Sequence, residues 1–71
     1  MNYILIEMQT NAQGQTAIVT PATYANAINA EAAFLEKCAY ARLSGLPCHS
    51  VLLIDQTGKQ VARKSFVTEA E

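Results

Sequence analysis

Residues 27–45, AINAEAAFLEKCAYARLSG, decide the fold because they are the longest helix-forming segment in the sequence. The segment is rich in alanine and has no glycine or proline before Gly45, which is a good left-handed helix stop, and Pro47 lies just beyond it. Pro21 and Thr23 are candidate start signals upstream. We therefore expect a helix from about residue 23 or 26 to residue 44.

The segments on either side of this helix each have the pattern of a β-hairpin. Residues 3–10 and 15–20 are strand-like and flank Asn-Ala-Gln-Gly, and residues 51–54 and 59–68 flank Asp-Gln-Thr-Gly. Asn and Asp suit the first position of a turn, and glycine suits a later position with positive φ. The sequence therefore predicts a single α+β domain over residues 1–71, with the element order ββαββ.

The four strands differ in how many of their faces are apolar. The first and third are apolar on both faces, whereas the second and fourth carry polar and basic side chains. We therefore expect a four-stranded antiparallel sheet in the order 2-1-3-4, with basic side chains protecting an edge. One helix packs on one face of this sheet. The helix stripe expected against the sheet is Ile28, Ala32, Leu35, Ala39 and Leu43. Phe34, Cys38 and Ala41 are expected to widen it on one flank.

The second face of this sheet has no element left to cover it, which predicts a homodimer or a larger homo-oligomer. A chain of 71 residues also has a thin core that a partner subunit would reinforce. The residues assigned to this oligomer interface are Tyr3, Leu5, Val51 and Leu53. The alanine-rich side of the helix is a second candidate contact, unless its alanines serve helix propensity alone.

Composition narrows the class of protein further. The net charge is −1 and there are two cysteines, so the sequence favours neither an extended nucleic-acid partner nor a disulfide framework. No stretch reaches the roughly 20 apolar residues of a membrane span, and the first residues lack the basic start of a signal peptide. We expect a cytoplasmic protein with reduced thiols.

Cys48 and His49 are the most reactive pair of neighbours in the chain. Adjacent strand positions point to opposite faces, so we expect these two side chains to lie too far apart for nucleophile and base. Cys38 does not complete the close ligand spacing of a zinc site. We therefore expect no catalytic residue, no metal and no cofactor, and not an enzyme. His49 either braces a loop through a backbone carbonyl or contacts a ligand or another subunit.

Basic residues near the end of the chain are candidate anchors for an anionic ligand, because arginine holds phosphate groups through two hydrogen bonds. An aromatic side chain could stack on a base. The alternative is that this charge only protects an edge strand and keeps it soluble. The candidate ligand-binding residues are His49, Arg42, Arg63, Lys64 and Tyr40.

Two segments carry a resemblance to a known group: YILIEMQTNAQG at residues 3–14 and AEAAFLEKCAYARLSGLPCHSVLLIDQTG at residues 30–58. They resemble very small proteins encoded by phages and prophages of gut bacteria, with a Ser-x-x-Pro-x-His junction before the third strand. The matching residues are Ala30, Glu31, Phe34, Ala39, Ala41, Ser44, Pro47 and His49. The resemblance implies a phage-like accessory protein in a bacterial cytoplasm, without implying an activity.

Together these features predict a non-catalytic, phage-type accessory binding protein that acts as a homo-oligomer. Its target would be a host protein or a small anionic, nucleotide-like ligand that it sequesters, as in an anti-defence role. The alternative is a structural or assembly protein whose oligomer is itself the function.

Overall fold

The computed structural model describes residues 1–67, which form two hairpins separated by a helix. The strands are β1 (Tyr3–Thr10), β2 (Thr16–Tyr24), β3 (Cys48–Asp55) and β4 (Gln60–Val67), and the helix is α1 (Ala27–Leu43). Within the described residues the strands form one antiparallel sheet in the order β2-β1-β3-β4. The predicted α+β class, with one helix and an antiparallel sheet, is confirmed.

Both hairpin turns are closed by the side chain at their first position. Asn11 Oδ1 accepts hydrogen bonds from the backbone N–H groups two and four residues later, each at 3.0 Å. Asp55 Oδ1 accepts from the N–H groups two and four residues later, at 2.9 and 3.1 Å. Gly14 and Gly58 have φ angles of +82° and +88°, which residues with a side chain rarely adopt. The predicted turn chemistry is confirmed.

The second strand is longer than predicted, and the helix begins at the later of the two predicted starts. β2 continues through Pro21 to Tyr24, so Thr23 lies in a strand and does not cap the helix. Proline is tolerated there because β2 is an edge strand, where a missing N–H need not break the ladder. The helix cap is Asn26, whose side chain accepts a hydrogen bond from the N–H of Asn29 at 2.9 Å.

Other boundaries shift by a few residues. β3 begins at Cys48, three residues before the predicted start, and β4 begins at Gln60. The predicted last residue of the fourth strand, Thr68, lies outside the described residues. The helix ends as expected, with Ser44 as its C-cap and Gly45 at a φ of +70°.

The core lies between the helix and the two central strands. Its sheet side consists of Leu5, Val51 and Leu53, all at most 4% exposed. The sequence predicts these residues at an oligomer interface, together with Tyr3, which packs against the same cluster. That assignment is wrong, because both faces of β1 and β3 are apolar and the helix covers this one. Within residues 1–67, no helix or strand packs on the opposite face.

The helix is rotated about half a turn from the prediction. Ala30, Phe34 and Ala41 face the sheet and are buried, whereas Ile28 and Leu43 of the predicted stripe are 79% and 83% exposed. Alanine lets the helix backbone approach the sheet closely, and the Phe34 ring fills the remaining space. The stripe expected against the sheet therefore points into solvent, whereas Phe34 and Ala41 of its predicted flank are buried.

Candidate functional site

His49 is buried under the end of the helix and hydrogen-bonded at both ring nitrogens. It is 3% exposed. Its Nε2 lies 2.5 Å from Glu7 Oε2 on the neighbouring strand β1, and its Nδ1 lies 2.9 Å from the hydroxyl of Ser44. The predicted loop-bracing role is therefore filled by a carboxylate and a hydroxyl, where a backbone carbonyl was expected.

Ser44, His49 and Glu7 have the connectivity of a serine–histidine–acid relay, but the Ser44 hydroxyl also has a backbone acceptor within reach. The Ser44 hydroxyl donates to the carbonyl of Ala41 at 3.0 Å. A hydroxyl has one proton to donate, and donation to this carbonyl leaves none for the imidazole Nδ1. A serine activated for attack would instead donate to the imidazole. The arrangement ties the helix end to both central strands.

The same carboxylate carries a second, looser contact at its other oxygen. Lys37 Nζ lies 4.0 Å from Glu7 Oε1, and its side chain is 41% exposed. The lysine lies on the sheet side of the helix, so its aliphatic stem covers the buried pair while its ammonium reaches water. Glu7 thus connects β1 to both β3 and α1.

The two cysteines are free thiols in separate environments. Cys48 Sγ lies 3.9 Å from the Ser50 hydroxyl. Both lie on the face of the sheet that the helix does not cover, called the open face below, and His49 lies on the other face. The predicted separation of Cys48 from His49 is confirmed. Burial raises the pKa of the Cys38 thiol, and the nearby Lys64 ammonium partly offsets this. Among residues 1–67, no three His, Cys, Asp or Glu side chains converge as metal ligands.

The predicted ligand anchors do not form one site. Arg42 and Lys64 come together over the ring of Phe66, with Arg42 Cζ 5.7 Å and Lys64 Nζ 5.9 Å from the ring centroid. Arg63 pairs with Leu52 in the ladder and therefore lies on the opposite face of the sheet. Of the other two anchors, Tyr40 lies on the far flank of the helix and His49 is buried.

A cleft that sequence reasoning missed lies between the start of the helix and the β3–β4 turn. Its volume is about 300 Å³. Asp55 contributes to its lining, but Oδ1 of that carboxylate is already taken by the turn. No buried side-chain nitrogen or oxygen in the described chain lacks a hydrogen-bond partner. The lining residues are Tyr3, Ala27, Glu31, Leu53, Asp55, Lys59, Gln60 and Val61.

The open face of the sheet is apolar at its centre and nearly free of charge. Among the described side chains, Arg63 is the one charged group that the strand register places on this face. The hydroxyls near one end bond to each other, Thr10 to Thr16 at 2.9 Å and Ser50 to Ser65 at 3.1 Å. The apolar residues on the face are Ile4, Ile6, Leu52 and Ile54, which are half-buried, and Met8, Ile18 and Val67, which are exposed.

A second uncovered apolar surface runs along the outside of the helix. We define the outer stripe as Ile28, Ala32, Leu35, Ala39 and Leu43, all exposed. The molecule therefore presents apolar side chains on both of its broad sides, and its polar residues concentrate at the turns and along the flanks of the helix.

Comparisons with known proteins add no assignment. No protein-family model matches the chain, and no curated protein or solved structure is significantly similar to it. Among the described residues, no helix combines the length and the apolar character that crossing a membrane requires.

Proposed function

We propose that this protein is a non-catalytic, phage-type accessory protein of the bacterial cytoplasm that acts as a homo-oligomer. The observation that carries the proposal is the open sheet face, with four apolar side chains at its centre and one charged side chain in its described part. An antiparallel sheet that faces water normally alternates apolar and polar sides. Contiguous apolar patches of this kind mark interaction sites.

A second copy of the chain is the occupant that fits this face best. Two antiparallel sheets pack face to face about 10 Å apart, with their side chains interdigitating. The Thr10–Thr16 and Ser50–Ser65 hydrogen bonds pair four hydroxyls of the open face within one copy, so these hydroxyls need no partner across the interface. A two-fold axis would bury the same face on both copies, and the pair would be a β-sandwich with one helix on each outer side.

The arrangement of polar side chains favours an assembly or partner-binding role over enzymatic turnover. His49, Glu7 and Ser44 are committed to one another and to the helix end. The Ser44 hydroxyl is oriented toward a backbone carbonyl. This supports the structural role of the oligomer more strongly than the capture of a small ligand.

Solution mass tests the proposal. The wild-type protein is expected to exceed the monomer mass at about 50 µM in light scattering or native mass spectrometry. Ile6→Lys places an ammonium at the centre of the open face, which should lower the mass while leaving the circular dichroism spectrum unchanged. Gln13→Lys, in an exposed turn, is the matched control and should keep the wild-type mass. A monomeric wild type, or an Ile6→Lys variant with the wild-type mass, would contradict the proposal.

Sequestration of an anionic ligand is a second candidate, favoured by Arg42 and Lys64 standing over Phe66. Thermal shift against a panel of nucleotides tests it, since a ligand at a hundredfold excess over its Kd stabilises a protein by about 2.7 kcal/mol. The combined change Arg42→Ala with Lys64→Ala should abolish the shift. Arg63→Ala, on the opposite face, should retain it. No shift with any nucleotide would remove this candidate.

A further inference from the structure

The outer stripe of the helix has the spacing of a helix-pairing seam. Its five residues follow one another at intervals of four, three, four and four positions, and they extend over most of the 17-residue helix. Ile28, Leu35 and Leu43 are 79%, 60% and 83% exposed. Intervals of three and four keep the residues on one side of a helix, as in the a and d positions of a coiled coil.

The alanines in the stripe favour a helix as the occupant. Ala32 and Ala39 alternate with the larger residues and leave shallow positions where a second helix backbone can approach. The opposite side of α1 is already packed on the sheet through Ala30 and Phe34. Pairing through the outer stripe therefore requires no rearrangement of the core.

Charged residues beside the stripe favour a second copy of the chain as the partner, with the two helices antiparallel. Glu31 and Arg42 lie on the same flank of the helix, the one next to β4: Glu31 lines the cleft with Gln60 and Val61, and Arg42 lies over Phe66. In an antiparallel pair related by a two-fold axis, a flank of one helix faces the same flank of the other. Glu31 of each copy therefore lies beside the partner's Arg42, which gives two symmetric contacts. A parallel pair would place Glu31 beside the partner's Glu36, because residues five positions apart meet across a parallel coiled coil.

We propose that the outer stripe pairs antiparallel with the outer stripe of a second copy. The register that uses all five positions brings Ile28 to the partner's Leu43 and Ala32 to the partner's Ala39. Leu35 then lies beside the partner's Leu35, close to the two-fold axis. This contact is separate from the open sheet face, so one copy can engage two neighbours at once.

Disulfide trapping tests the direction and the register. In a Cys38→Ser, Cys48→Ser background, Leu35→Cys is expected to form a covalent dimer under mild oxidation. Ile28→Cys should remain monomeric alone, but should form a dimer when mixed with Leu43→Cys. Strong self-trapping by Ile28→Cys would indicate a parallel pair and would overturn the proposal, as would a Leu35→Cys variant that stays monomeric.

Charge exchange provides an independent test that needs no cysteine background. The background is Ile6→Lys, which is designed to remove the sheet contact, and analytical ultracentrifugation measures the affinity of self-association. In this background, Glu31→Arg or Arg42→Glu alone should weaken that affinity about tenfold. The double exchange restores opposite charges across the pair and should recover the affinity. Glu36→Arg lies on the other flank and is the control. Failure of the double exchange to recover affinity would contradict the antiparallel pairing. Because every variant carries Ile6→Lys, these results do not depend on whether the open sheet face joins two copies.

Discussion

At the scale of single residues, the buried Glu7–His49 pair is the contact that sequence reasoning could least foresee. The two residues are 42 positions apart and are diagonal neighbours on adjacent strands, since Glu7 pairs with Val51 and His49 pairs with Gln9. Each alone looks like a surface residue in an apolar strand. Only the register of β1 against β3 shows that they satisfy each other, because a buried charge needs a partner.

Removal of the carboxylate should therefore be costly. Glu7→Ala leaves the buried imidazole without its acceptor, and we expect a loss of about 3 kcal/mol in the free energy of unfolding. Urea denaturation measures it. Glu36→Ala, an exposed glutamate on the helix, should change stability by less than about 0.5 kcal/mol. Equal stabilities for the two variants would show that the pair is not a stabilising contact.

The carboxylate of the second turn should make stability depend on acid. The Thr57 hydroxyl is the largest influence that holds the pKa of Asp55 below its ordinary value, and backbone N–H groups of the turn add to it against an opposing desolvation effect. Since the folded-state pKa is the lower one, the ionised carboxylate favours folding above about pH 4. That contribution is lost as the pH falls through the folded-state pKa.

Urea denaturation at a series of pH values tests this dependence. The wild type should lose stability from about pH 5 downwards. Asp55→Asn keeps an acceptor for the turn but cannot titrate, so its stability should fall less steeply over the same range. Parallel curves for the two proteins would mean that Asp55 does not contribute to the acid sensitivity.

At the scale of elements, local signals predicted the turns well and the helix rotation badly. Asn11 with Gly14, and Asp55 with Gly58, act within five residues of each other, so the sequence alone identifies them. The rotation of α1 depends on competition between two apolar sides. Ile28 and Leu43 are more hydrophobic than Ala30 and Ala41, but the sheet accepts the side with small residues because the backbone comes closer. The spacing of apolar residues in a sequence does not report how closely a helix backbone can approach a sheet.

The helix start provides a direct test at this scale. Asn26→Ala removes the side-chain acceptor for the N–H of Asn29 and should cost about 1 kcal/mol. For a domain of this size the melting temperature should fall by roughly 4–8 °C. Asn26→Ser keeps a capping oxygen and should melt close to the wild type. If Asn26→Ala melts with the wild type, the cap assignment is wrong.

At the scale of the whole molecule, the sequence correctly indicated that a single helix leaves one sheet face uncovered, but it chose the wrong face. Both sides of β1 are apolar, so alternation could not decide between them. The charged Glu7 lies on the face that the helix covers, where His49 and Lys37 are its partners. The same ambiguity hid the outer stripe, which the sequence assigned to the core.

Two uncovered faces on opposite sides of one chain should produce assemblies larger than a dimer. We expect the mass of the wild type to keep rising with concentration, because alternating sheet and helix contacts do not close. Ile6→Lys and Leu35→Lys should each stop at a dimer through the remaining face, and the double variant should be a monomer. Sedimentation velocity at several concentrations distinguishes these states. If the mass of the wild type stops rising at that of a dimer, only one of the two faces takes part in association.

Contacts between methyl groups across the open sheet face test the central proposal most directly. In a mixed sample, one copy carries labelled isoleucine and leucine methyls and the other is unlabelled, so isotope-filtered nuclear Overhauser spectra report contacts between copies alone. We expect such contacts at Ile4, Ile6, Leu52 and Ile54 and none at the buried Leu53. A spectrum without intermolecular contacts at these four residues, in a sample of oligomer mass, would contradict the proposal that this face joins two copies.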